Sequence, residues 1–210
     1  LDFLDFTLLV TPEHSLIIKI VDTAKNWHFD QLTHDKFYEI CQKILSFKDK
    51  NQIYAVAHFL SNLNEVEYYQ NNIQQYSVCI ELAQQIIILN IHTESTISGD
   101  IDELTESLNS VNGALVWFVI KLYELSKNES KIQKKCEVFI HFLLENDVNG
   151  YALIRILGQY SFLKNRNSLF AQKEVLPYLF SSHEKMKLQS WRGYLQNKNL
   201  EISILKILAF

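Results

Sequence analysis

The densest run of side chains able to do chemistry is Trp27-His28-Phe29-Asp30, followed closely by Thr33-His34-Asp35. Two imidazoles and two carboxylates so close together are the components of a divalent-metal site or of an acid and base pair. The spacing argues for something plainer. Metal sites carry fixed helical or hairpin ligand spacing, of which HExxH is the type, and this stretch has none. A loop in which Asp30 or Thr33 caps a helix over 34–47 accounts for the same residues.

The remaining candidates read the same way. His58 and His141 lie in AVAHFL and FIHFLL, on otherwise apolar helical faces, where a core or interfacial imidazole is expected and no nucleophile or orienting acid can be assigned. Cys41, Cys79 and Cys136 are widely separated and odd in number, so they form neither a disulfide framework nor a CxxC site, and in apolar stripes a thiol is inert packing. No catalytic, metal-binding or cofactor-binding residue is therefore assigned, and no cofactor is expected. Free thiols suit a reducing cytoplasm.

The elements that would position such residues are helical. The chain has 210 residues, 48% of them hydrophobic, with only five glycines and two prolines, too few for the punctuation of a β protein. A chain of this length buries about 70% of its unfolded surface, which is enough for a sizeable core. The formal charge of −4 with scattered Lys and Arg excludes a nucleic-acid footprint, and apolar runs such as 114–120 are too short to cross a bilayer. The chain begins at Leu1 and ends in the apolar ISILKILAF, which reads as a piece of a longer polypeptide.

Phe37, Ile40, Cys41, Ile44 and Leu45 form one helical stripe; Ile132, Cys136, Phe139, Ile140, Leu143 and Leu144 form another. Thr11-Pro12-Glu13 opens a helix to about Lys25. Further helices are expected over 50–62, 65–90, 100–109, 112–127, 147–164, 168–180, 183–196 and 200–210. HTESTISG at 92–99 is a loop and the natural boundary between an N-terminal segment, 1–97, and a second helical region, 98–210. Lys127, Lys131, Lys134 and Lys135, with Glu129 and Glu137 among them, read as a solvated face. Leu188, Trp191 and Leu195 share a helical face, with Gly193 giving a neighbour room to approach.

Val111-Asn112-Gly113 is echoed by Val148-Asn149-Gly150, and the 17 residues from each share five identities at a period of 37. Such a period fits a two-helix unit of a solenoid, without the signatures of tetratricopeptide or ankyrin repeats. In the first copy, Asn109 or Ser110 can end one helix and cap the next. Gly113 then lets a neighbouring backbone approach ahead of LVWFVI, which is apolar nearly all round. The expected fold is all-α, an irregular HEAT-like array of stacked antiparallel helix pairs.

From residue 100 onward, Leu108-Asn109-Ser110 with Gly113, the apolar helix after it, LPYLF at 176–180 and SWRGYL at 190–195 follow one another in a familiar order. This region resembles the helical C-terminal part of large bacterial antiphage proteins, the defence-associated sirtuins; residues 1–97 share no such likeness. The resemblance implies a parent protein with an NAD-destroying sirtuin-like domain, and a helical part that supports assembly as a homo-oligomer and senses a phage-encoded protein. No glycine-rich dinucleotide turn occurs here, so any NAD chemistry belongs to a domain outside these residues. The expectation is a non-catalytic, cytoplasmic protein-interaction and scaffold module, whose partners are a phage protein and other domains of its own polypeptide, with neither nucleic acid nor membrane among them. The alternative is a helical effector or enzyme fragment that uses the polar cluster from His28 to Asp35.

Overall fold

The computed structural model describes residues 30–91, 102–197 and 199–206. Among them the chain is all-helical, with no strand, in twelve α-helices and the tighter or wider turns between them. The first four are α1 (Gln31–Ser46), α2 (Lys50–Ser61), α3 (Glu67–Asn71) and α4 (Ile73–Ile91). Next come α5 (Glu103–Asn109), α6 (Val111–Leu125), α7 (Ser130–Glu145), α8 (Tyr151–Leu157) and α9 (Tyr160–Arg166). The short α10 (Ser168–Phe170) leads into a π turn, and α11 (Glu184–Tyr194) and α12 (Ile202–Leu205) follow. The helix expected from Thr11 and the loop at 92–99 lie outside the described residues.

The axis of the molecule is α6. It packs against α2, α4, α5, α7 and α8, and 11 of its 15 residues are buried, leaving only a narrow edge at Trp117, Lys121 and Glu124 toward solvent. That is the fate of a helix apolar all round. Both sequence stripes turn inward as read: Phe37, Ile40, Cys41, Ile44 and Leu45 on α1, and Ile132 through Leu144 on α7. Residues before and after 92–101 contribute to one continuous core.

The junction of α5 and α6 follows from its residue types. Asn109 ends α5, and the Ser110 hydroxyl accepts the Gly113 amide at 2.9 Å, satisfying one of the four amides that a helix start leaves unpaired. A Cβ on Gly113 would lie 1.7 Å from the Ser107 carbonyl oxygen, so no other residue fits there. The echoed Gly150 has a different role. It precedes α8 with φ of 82°, a left-handed conformation that glycine adopts without strain. The two turns are joined directly, since Asn112 Nδ2 donates to Asp147 at 3.0 Å, and the other oxygen of that carboxylate accepts the Leu153 amide.

Several expected helices are interrupted. The span 65–90 breaks at Asn72, whose side chain donates to the Tyr68 carbonyl and closes α3. The span 147–164 becomes α8 and α9, separated at Gly158 and Gln159. Asn197 makes that break stable by donating to the Leu157 carbonyl and accepting the Ser161 amide. The span 168–180 gives way to a π turn at Ala171–Val175 and a 3-10 helix at Leu176–Phe180. Pro177 has no N–H to continue the α ladder, which forces the change of pitch.

Trp191 and Gly193 divide the labour on α11. Trp191 is buried and donates through Nε1 to the Leu179 carbonyl, while a Cβ on Gly193 would lie 2.2 Å from the backbone oxygen of Ile154 on α8. Leu188 and Leu195, expected on the same inward face, stand exposed instead, because the buried face runs through Gln189, Ser190, Trp191 and Tyr194.

Gly193→Ala is expected to destabilise the chain by about 3 kcal/mol, since only backbone can move to make room. Gly158→Ala, where the nearest oxygen is 3.3 Å away, is expected to cost far less. Urea unfolding of both variants against the parent chain checks the contrast.

Candidate functional site

The polar cluster at the chain's start does not converge among the described residues. Asp30 is the N-cap of α1, its Oδ1 accepting the Thr33 amide at 2.8 Å, so Asp30 and not Thr33 is the cap. His34 is buried and shares a 2.9 Å hydrogen bond between Nδ1 and the Tyr69 hydroxyl on α3. Asp35 is exposed and accepts from Gln31 one turn earlier. Trp27, His28 and Phe29 lie outside the described residues. No group of three or more His, Cys, Asp or Glu among the described residues is placed to hold a metal ion.

The other sequence candidates separate. His58 lies on α2 near the end of α5, its ring tilted 39° against Tyr54 at 4.1 Å and its Nε2 buried without a hydrogen-bond partner; burial lowers its pKa, and the Asn109 backbone opposes that in part. His141 is not in the core. It is exposed on α7, with Nε2 3.1 Å from Glu145 and Nδ1 3.5 Å from Glu174. The cysteines are free and buried, and desolvation raises all three thiols, Cys79 to about 12, so they remain protonated and unreactive.

The most developed polar arrangement lies where the lysine-rich stretch of α7 meets the π turn. Glu137, read from sequence as part of a solvated face, is only 6% exposed. Its Oε1 accepts from the Tyr123 hydroxyl at 2.9 Å and from Asn167 Nδ2 at 2.6 Å, and Lys134 approaches Oε2 at 3.4 Å. Burial and this carboxylate together push the Tyr123 phenol upward, leaving it a permanent donor. Asn167 in turn caps α10 through the Phe170 amide. One buried carboxylate thus ties α6, α7 and the start of α10 together.

A groove of about 350 Å³ opens above this tie, lined by Lys134, Val138, His141, Leu169, Lys173 and Glu174. A second groove, of about 300 Å³, lies on the other side of the α7 ridge against α4 and shares Lys134 and Val138 with the first. Glu137 was legible in principle, because Gln133, Glu137, Ile140 and Leu144 follow at helical spacing along the flank of the apolar stripe. Gln133 is likewise engaged, donating to the Ser126 and Lys127 carbonyls.

No family model, curated protein or solved structure matches the chain. Among the described residues no helix is long and apolar enough to cross a membrane.

Two predictions follow from the polar groups. Burial lowers the pKa of His34, with Asp35 opposing it in part, and burial also lowers that of His58, so each binds its proton more readily in the unfolded chain. Stability should then be complete above the ordinary value of 6.5 and fall as pH drops below it; His34→Gln with His58→Gln should flatten the profile measured by urea titration. Glu137→Ala leaves the Tyr123 hydroxyl and Asn167 amide without their acceptor, and should cost about 2–3 kcal/mol by the same measurement.

Proposed function

We propose that this chain is a non-catalytic protein-interaction and scaffold module, part of a larger bacterial antiphage defence protein of the sirtuin-associated kind. In this reading it senses a phage-encoded protein or supports homo-oligomeric assembly of its parent in the cytoplasm. The observation that carries it is how the chain uses its polar groups. The buried imidazole of His34, the Glu137 carboxylate and the caps Asp30, Ser110 and Asn167 are engaged in holding helices to one another, and the three thiols are packed into the core. Apolar side chains such as Val138, Leu169, Leu188 and Leu195 meanwhile stand at the surface, where a partner can cover them.

The residues behind the resemblance support it in a particular way. Ser110 and Gly113 close α5 onto α6, and Trp191 and Gly193 close α11 onto the LPYLF turn and α8. A protein sharing those residues in that order would need the same closures, and the HEAT-like stacking of helix pairs belongs to this proposal. Arg192 on α11 pairs with Glu103 on α5, a further tie across the same layer.

The tagged chain, co-expressed in turn with individual phage-encoded proteins, is expected to retain one of them in stoichiometric amount through gel filtration, and to leave added NAD intact when assayed alone. Turnover by the purified chain that is lost in His34→Gln or Asp35→Asn would overturn the proposal in favour of an enzyme fragment.

A further inference from the structure

The α7 ridge differs in charge from the chain that carries it. The protein as a whole has a formal charge of −4, yet Lys131, Lys134 and Lys135 lie along this ridge and Lys173 faces it across the first groove. Lys131, Lys135 and Lys173 form no ion pair with any described residue, and Lys134 has only the long contact to Glu137. The acids nearby are already engaged: Glu137 by Tyr123 and Asn167, Glu174 by His141, and Glu81 by the Tyr38 hydroxyl. Between the lysines stand Val138 and Leu169, 53% and 62% exposed, one on the ridge and one on the groove's far wall.

We propose that this ridge, with the groove on either side of it, docks an acidic amphipathic segment of a partner protein. Apolar side chains of that segment would enter the two grooves and cover Val138 and Leu169. Its carboxylates would meet the lysines, in the manner of a helix laid into a groove with charge on its rim. The surface favours a peptide over a single-stranded nucleic acid because no exposed aromatic ring at the ridge offers a base a stacking surface.

The inference rests on the protein-interaction reading, and its test separates the two. The probe is a fluorescein-labelled peptide of about sixteen residues, with leucine at i, i+3, i+4 and i+7 and glutamate elsewhere; fluorescence anisotropy reads its binding to the full chain. Binding is expected to weaken about tenfold in the Lys131→Glu, Lys135→Glu, Lys173→Glu triple variant and by a similar factor in Val138→Asp. The corresponding Lys→Arg triple variant should retain it, and unchanged helical circular dichroism with an unchanged melting temperature establishes that each variant is folded. Equal affinity of parent and charge-reversed chains, stronger binding of a labelled single-stranded oligonucleotide, or occupation of the ridge by self-association would each overturn the proposal. A phage protein that the charge-reversed chain still retains through gel filtration would exclude this surface and leave the interaction reading standing.

Discussion

A helix that is apolar on all but one narrow edge has to be enclosed, and α6 imposes that requirement on everything around it. Its sequence offers only Lys121 and Glu124 to turn toward water, so α2, α4, α5, α7 and α8 cover the rest. Phe118 shows what this achieves. Its ring meets Tyr76 of α4 at 5.4 Å and Phe139 of α7 at 6.3 Å, and Tyr76 continues to Tyr69 of α3 at 5.8 Å, so aromatic contacts cross the molecule through the central helix. The segments on either side of 92–101 depend on each other because both are walls around the same axis.

Enclosing an apolar helix moves polar chemistry to its ends and edges. The start of α6 is held by Ser110 and by the bond from Asn112 to Asp147, and its last turn by the Tyr123 bond to Glu137. Elsewhere the same economy holds: Asn197 bridges the break between α8 and α9, and Gln189 donates to the Asn149 carbonyl beside the left-handed Gly150. Short polar side chains serve here as clamps on backbone that the helices leave unpaired. A carboxylate or amide used this way has most of its hydrogen-bonding capacity committed, although Asn112 Oδ1 is buried without a partner.

The sequence stated the helices well and their interruptions poorly, for a physical reason. Stripes such as Phe37 to Leu45 depend on local spacing, and local spacing is visible in a linear string. The breaks at Asn72 and Pro177 are local events whose place within an apolar stripe the stripe itself conceals, whereas the one at Gly158 depends on whether another part of the chain satisfies the freed backbone groups. Asn197 does so for Leu157 from 40 residues away, which no local pattern could announce. The misplaced residues have the same origin. Leu188 and Leu195 share a face with Trp191 on an ideal helix, but the close approach at Gly193 brings α11 against α8 with Gln189, Ser190 and Tyr194 turned inward beside Trp191. Glu137 reads as solvated in a lysine-rich stretch because its partners, Tyr123 and Asn167, lie on other elements.

The shape of the α7 surface follows from those same constraints. Ile132, Cys136, Phe139, Ile140 and Leu143 are committed to the core, and Gln133 and Glu137 hold the flank toward the end of α6 and α10. What remains outward is the line through Lys131, Lys134, Lys135, Val138 and His141, standing proud because α4 packs on one side and the π turn on the other. A valine at the crest of such a line costs some helix propensity and also leaves apolar surface in water. The lysines around it can lay their methylene stems over that surface while keeping their ammonium groups solvated. In the docking proposed for this ridge, those stems would have only to swing aside for their charges to meet carboxylates, without any rearrangement of the helices beneath.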